Sequence, residues 1–418
     1  MPRPRIFVSH SNNDPHSSAY IDAIESALGP AGFDVLVDRT RLQPGAKWRD
    51  EIYTWMGLCH AAVILVSDAA ILPGSIWVPR ETSILLWRRT LDPAFRVIPV
   101  CLGNVSPADL ARGVFADMQL EEIQTAPAAT PSQLVDALTL SLSALTAQQT
   151  PLETLSSRVV ELLRNVSDAA VEEAGEALNL DPAALLTSDK RHTLALGLMQ
   201  KPLADAVPAL EVLAEFMDAS KADRLLSIIA PSWVDLCAAR WLAHCGSRKT
   251  SKPAVILNAS THFAAAMYVH RASCRPPKTR WPIVPATGIH GEKAAEEIAA
   301  EVEDNLIREF RLADDPLASN ARQRLQAMLQ ARQDEGRPVF VDFRFTPGLA
   351  SALPMIQRLL PAITFVLLSG DEFPAAEILS GKNVMLLEPK LQPGEERQAQ
   401  TDFDYAQSII RPEQAGGY

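Results

Sequence analysis

The chain has 418 residues, of which 47% are hydrophobic and 21% charged, and it carries a formal net charge of −11 at pH 7. That length suits roughly two to four globular domains, each large enough for an ordinary core, and the acidic balance argues against nucleic-acid binding driven by bulk electrostatics. The five cysteines are odd in number and lack a CxxC pair, and the eight histidines are dispersed, so reduced thiols and no structural metal are expected.

The opening run from Met1 to Ser9 passes into a strand-like segment too quickly for a signal peptide. No apolar stretch approaches the ~20 residues needed to cross a bilayer, so the expectation is a cytoplasmic protein without a membrane partner.

Residues 1–148 alternate short apolar runs with amphipathic ones. The pattern predicts strands over Arg5–Ser9, Phe33–Asp38, Ala61–Val66 and Phe95–Leu102. Helices are predicted over Ser17–Leu28, Lys47–Leu58, Glu81–Arg89 and Gln133–Leu145, and a loop carrying Pro44-Gly45 precedes the second of them. Strands separated by single helices imply an α/β domain with a parallel sheet covered on both faces.

Residues 152–246 read as helices only. Leu155, Val159, Leu162 and Val166 recur at helical spacing, as do Leu203, Val207, Leu210 and Leu213, and Asp181-Pro182 supplies an N-cap with a first-turn proline. Ser232 can cap a further helix holding Trp233 and Trp241, giving a module of five or six helices.

The polar stretch Gly246–Pro253 breaks this pattern and marks a domain boundary. Residues 253–418 return to alternation, with strands at Ala254–Asn258, Ile283, Val339–Phe345, Ile363–Ser369 and Val384–Leu387. Helices are expected over Ala264–Arg271, Gly291–Phe310 and Leu317–Glu335, which makes a second α/β domain.

The motif Ser75-Ile-Trp-Val-Pro-Arg-Glu81 places an aromatic ring and a carboxylate four residues apart at a loop-to-helix junction. On a helix that spacing puts Trp77 and Glu81 on one face, one turn apart. A flat ring beside one carboxylate, at the C-terminal edge of a parallel sheet, can hold a nucleotide sugar and stabilise a cation forming on it. Pro79 is tolerated in a first helical turn but could delay the helix start beyond Trp77. A first-turn glutamate is also favourable merely through the helix dipole, and Trp77 could simply close the core.

Several segments in order resemble a TIR (Toll/interleukin-receptor) domain. They are Ile6-Phe-Val-Ser-His-Ser11, Asp38 with Leu42-Gln-Pro-Gly45-Ala-Lys-Trp48, Ile64-Leu-Val-Ser67, and Trp77 to Glu81. The resemblance implies a flavodoxin-like fold for residues 1–148. It also implies NAD cleavage, with Glu81 on the catalytic glutamate and NAD as substrate, so that no cofactor is needed.

Ser9, His10 and Asn12 after the first strand, Trp77, and Asp38, Arg39 and Trp48 near the second strand are the candidate substrate contacts. The loop from Arg39 to Gly45, with exposed cations at one end, is expected to dock on a neighbouring TIR domain, and Glu81 is expected at a wet crevice.

In the C-terminal domain the turn Ala259-Ser-Thr-His-Phe263 offers neither the glycines nor the lysine that cradle phosphates, and Gly288–Lys293 has the wrong spacing. Val339-Phe-Val-Asp342 nevertheless resembles the metal-binding strand of STAND ATPases, which implies a degenerate, non-hydrolysing sensor. Basic residues at Arg248, Lys249, Lys252, Arg271, Arg275, Lys278 and Arg280 are either a solvated linker or a site for an anionic trigger.

The leading expectation is therefore an NAD glycohydrolase or cyclase. An unidentified trigger would activate it through self-association, in the manner of bacterial anti-phage effectors. The alternative is a non-catalytic TIR scaffold that recruits partners or interferes with host signalling.

Overall fold

The computed structural model describes residues 3–11, 14–42, 48–72, 74–116, 118–248, 252–286, 294–312, 320–370, 374 and 376–411. It divides into two compact units, Met1–Thr154 and Leu155–Tyr418.

In the first unit the elements run β1 (Arg5–Ser9), α1 (Pro15–Leu28), β2 (Asp34–Leu36), α2 (Asp38–Arg41), α3 (Trp48–Leu58), β3 (Ala61–Val66), α4 (Asp68–Ile71), α5 (Trp77–Leu91), β4 (Arg96–Cys101) and α6 (Pro131–Leu142). The described strands are all parallel in the order β2-β1-β3-β4, with Ile6 opposite Ala61 and Ala61 opposite Arg96. Such an order places a topological switch between β1 and β3, where the carboxyl ends of the strands open a crevice.

Alternate residues Ile6, Val8, Ala61, Val63, Leu65, Ile98 and Val100 face Ile21, Ile24 and Leu28 of α1 and Leu134, Leu138 and Leu142 of α6. Helices α3 and α5 pack on the sheet from its other side. Helix α5 is buried almost all round, with every residue from Glu81 to Arg88 inside. Arg88 is inside for a local reason: its guanidinium donates to the carbonyls of Met56, Gly57 and Cys59 at the end of α3 and lies over Phe95. A cation there completes carbonyls the helix leaves open.

The division falls within α7 (Pro151–Leu162), and the second unit continues with α8 (Asp168–Ala177), α9 (Pro182–Leu185), α10 (Lys190–Gln200), α11 (Leu203–Ala214), α12 (Ala219–Ile229) and α13 (Leu236–Ser247). These are seven α-helices where the sequence suggested five or six. There follow β5 (Ala254–Leu257), α14 (His262–Ser273), β6 (Ile283–Pro285), α15 (Ala295–Glu309), α16 (Ala321–Asp334), β7 (Val339–Arg344), α17 (Pro347–Leu359), β8 (Ile363–Leu368), α18 (Ala376–Leu379), β9 (Val384–Leu386) and α19 (Pro393–Ile410). The described sheet is parallel throughout, in the order β6-β7-β8-β5-β9.

The boundary expected at Gly246–Pro253 does not separate compact units; residues 155–418 form one. The reason is packing: α13 lies against β5, β8 and α14, so the last helix of the helical half covers a face of the sheet. Gly246 sits so close to Phe340 and Pro338 that a Cβ would lie 2.9 Å from each. Helices α17 and α19 were not read from the sequence.

Part of the basic cluster near this junction is engaged within the fold. Lys252 is buried with its Nζ donating to Ala362 O, Arg271 donates to Met199 O, and Arg280 donates to Ser227 and to Arg275 O. These three cations tie segments together, which corrects the expectation of a solvated linker or an open anion site for those three alone; Arg248 and Lys278 are exposed, and Lys249 lies outside the described residues. Among the described residues no single helix is long and apolar enough to cross a membrane.

Candidate active site

Helix α5 begins at Trp77, not after it. Pro79 is its third residue, where a missing N–H leaves no helical bond unmade, so the proline does not delay the start. Trp77 and Glu81 therefore stand one turn apart on a single helix.

Glu81 points to the end of β1. Ser9 Oγ donates to Glu81 Oε2 at 2.6 Å, and both residues are buried, Glu81 being only 7% exposed. The wet crevice expected around Glu81 is thus absent in this state, because α5 is wrapped by its neighbours on every side at this level. Burial pushes the Glu81 carboxyl up to about 8 from its ordinary 4.5; the Ser9 hydrogen bond opposes that rise and the negative charge of Asp38 adds to it. At neutral pH the acid is mostly protonated.

At the carboxyl ends of β1 and β2 is a cleft of about 450 Å³ lined by His10, Ser11, Asp14, Ser18, Asp38, Arg39 and Leu42; Ser9 and Glu81 do not line it, and Asp38 is the lining residue whose charge reaches Glu81. His10 Nε2 lies 3.5 Å from Asp38 Oδ1. Asp14 caps α1, accepting from the backbone of His16 and Ser17 and from Ser17 Oγ. Burial works to raise its carboxyl, but those hydrogen bonds outweigh it and hold it below the usual carboxylate range. Asp14, Ser11 and Ser18 were not singled out from sequence, although Asp14-Pro15 is an N-cap followed by a first-position proline, a readable signal.

Trp48 and Trp77 form a second group, with ring centroids 4.5 Å apart in an edge-to-face arrangement and the Arg49 guanidinium over both rings. The sequence-predicted residues thus fall into two sets: Ser9, His10, Asp38, Arg39 and Glu81 around the strand ends, and the two tryptophans at the start of α3 and α5. Asn12 and residues 43–47, including Gly45, lie outside the described residues.

Arg39 and Arg41 differ from expectation. They belong to α2 and are paired within the unit, Arg39 with Asp22 and Glu25 and Arg41 with Asp34, so they are not unpartnered cations awaiting a neighbour. Among the described residues no group of three or more His, Cys, Asp or Glu could hold a metal ion.

In the second unit Asp342, buried on β7, has its Oδ1 2.8 Å from His262 Nδ1. The turn from β5 to α14 has its backbone amides at Ser260 and Thr261 bonded to Glu396. With the acid and the amides both engaged, we expect no magnesium-dependent ATP hydrolysis. Activity that disappears in Asp342→Ala would show a phosphate site that the turn does not display.

Residues 6–135 match the family described as the TIR domain. A search of curated proteins finds no match. Among solved structures the chain is similar to one titled "Structure of the activated Roq1 resistosome directly recognizing the pathogen effector XopQ (TIR domains)". The identity is 19%, the likeness covers 34% of this chain and 85% of that chain, and the TM-score is 0.22. The family match carries the assignment: residues 6–135 are a TIR domain.

Proposed function

We propose that the TIR domain cleaves the bond between nicotinamide and ribose in NAD, with Glu81 as the acid that matters. The observation supporting this reading is one buried carboxyl, held by Ser9 at the end of β1 of a TIR domain and within the electrostatic reach of Asp38, which lines a polar cleft at the strand ends. In the reaction the C1′–N1 bond breaks, its electron pair returns to the pyridinium ring, and nicotinamide departs neutral. Positive charge is left on the ribose. An ionised Glu81 stabilises that charge, and no group has to protonate the leaving ring. Water attacking the ribose gives hydrolysis, whereas attack from within the same nucleotide gives a cyclic product. In this reading His10 and Asp38, which line the cleft, are the hydrogen-bond partners of the ribose hydroxyls.

The protonation of Glu81 shapes this proposal. A neutral acid cannot stabilise a cation, so the state described is a resting one, and turnover requires the site to open or the positively charged substrate to draw the proton off. We propose that self-association, prompted by a trigger, supplies that change, with the remaining residues restraining the TIR domain in the manner of a cellular defence effector.

Purified protein incubated with NAD should release little nicotinamide alone and much more once cell extract assembles it. Full turnover in a demonstrably monomeric sample would contradict the requirement for assembly. The burial of Glu81 also favours a second reading, a TIR scaffold in which this acid is a core group and no NAD is consumed. The same incubation decides between them.

A further inference from the structure

Helix α19 presents one buried face, on which Glu396, Ala399, Ala406 and Ile410 are buried and Phe403 meets Phe263 at 5.3 Å between ring centroids. These positions recur at three- and four-residue spacing, so they form one stripe along the helix. On an otherwise apolar stripe Glu396 is the charged residue, 7% exposed. A carboxylate so placed is costly unless its oxygens are hydrogen-bonded.

They are. Ser260 N donates to Oε1 at 3.1 Å and to Oε2 at 3.0 Å, and Thr261 N and Thr261 Oγ1 donate to Oε1 at 2.9 and 2.6 Å. Thr261 is also the N-cap of α14, accepting from Ala264 N. The carboxylate therefore sits where a strand turns into a helix at the carboxyl edge of a parallel sheet, a position whose free amides and helix dipole favour an anion. Here the chain supplies the anion itself.

The remainder of α19 rests on the helical half of the unit. Tyr405 Oη donates to Glu211 Oε1 of α11 at 3.0 Å, and Arg411 pairs with Asp223 of α12. The first contact is solvent-exposed and so weak, whereas the Arg411–Asp223 pair is part-buried. The approach to α19 is pinned at the sheet, where Asn258 Nδ2 donates to Leu391 O at 2.7 Å. One helix thus bridges the two halves of the second unit, fastened at its N-terminal end by the buried Glu396 carboxylate and at its C-terminal end by the part-buried Arg411–Asp223 pair.

We propose that Glu396 is the buckle of a C-terminal strap: it locks α19 onto the turn between β5 and α14, and loss of its contact releases α19 and opens the second unit. This inference is independent of any NAD chemistry.

The test is hydrogen–deuterium exchange on the full chain, comparing the parent with Glu396→Ala, Glu396→Gln and the exposed Arg397→Ala. Glu396→Ala should speed exchange at Ser260 and Thr261 and through α19 by at least about tenfold, the factor that corresponds to losing ~1.4 kcal/mol of charge-assisted hydrogen bonding. Strands β7 and β8 and the TIR strands should stay protected. Glu396→Gln keeps an acceptor and loses the charge, so it should fall between, and Arg397→Ala should match the parent. Exchange in Glu396→Ala as slow as in the parent at both sites would overturn the proposal. So would uniform acceleration across the whole unit in Glu396→Ala together with parent-like exchange in Glu396→Gln, because that pattern describes general destabilisation instead of a released strap.

Discussion

Replacing Glu81 with glutamine should reduce NAD consumption by about 100-fold or more, the usual cost of losing one electrostatic group that meets charge developing in a transition state. The substitution is close to isosteric, and Ser9 Oγ can still donate to the amide oxygen, so the fold is retained. Burial sharpens the expectation. In its resting state Glu81 is already mostly neutral, and Glu81→Gln copies the neutral form permanently while removing the option to ionise. Binding of NAD should therefore survive where turnover does not. A glutamine variant with parental turnover would remove Glu81 from the chemistry and leave the scaffold reading in place.

The second large effect is on pH dependence. With the carboxyl pushed up to about 8 in the folded protein from an ordinary 4.5, the folded state holds a proton that the unfolded state gives up between those values. Stability linked to Glu81 is therefore full below about pH 4.5 and declines as pH rises towards 8. The ceiling on this loss at pH 7 is about 3 kcal/mol, from ~1.36 kcal/mol for each pH unit above the ordinary value. A change of that size moves the unfolding temperature of a domain this large by roughly 5–10 °C. Glu81→Gln should flatten this component, so the variant should gain on the parent as pH rises from 5 to 8. An unchanged difference between parent and variant across that range would mean that the acid is ionised and hydrated in the folded protein.

The sequence made the TIR unit readable for a physical reason. Ala61–Val66 is apolar throughout because a central parallel strand is covered on both faces, and Ile6–Val8 within Arg5–Ser9 shows the same character; both strands occur with those bounds. The spacing of Trp77 and Glu81 was also readable, since Pro79 falls within the first turn. What the sequence does not display is that Ser9, 72 positions away, closes over Glu81. Burial of a carboxyl is a tertiary property, and a charged letter near a helix start looks the same whether wet or dry. Arg39 and Arg41 illustrate the converse, for their partners Asp22, Glu25 and Asp34 come from other elements and turn apparent docking cations into paired surface charges.

Helix α19 escaped for another reason. Its sequence is rich in Glu, Gln and Asp, and half of the apolar positions on its stripe are alanines, so it reads as largely polar. The break at Gly246–Pro253 was misleading in the same way. Gly246, at its start, is packed against Phe340.

The most direct test of the account is nicotinamide release by the parent and by Glu81→Gln, without any trigger, at pH 7 and pH 9. A carboxyl near 8 is about one-tenth ionised at the lower pH and about nine-tenths at the higher, so the parent should release nicotinamide roughly tenfold faster at pH 9, with the variant silent at both. Equal release by the two proteins at pH 9 would contradict the assignment of NAD cleavage to Glu81.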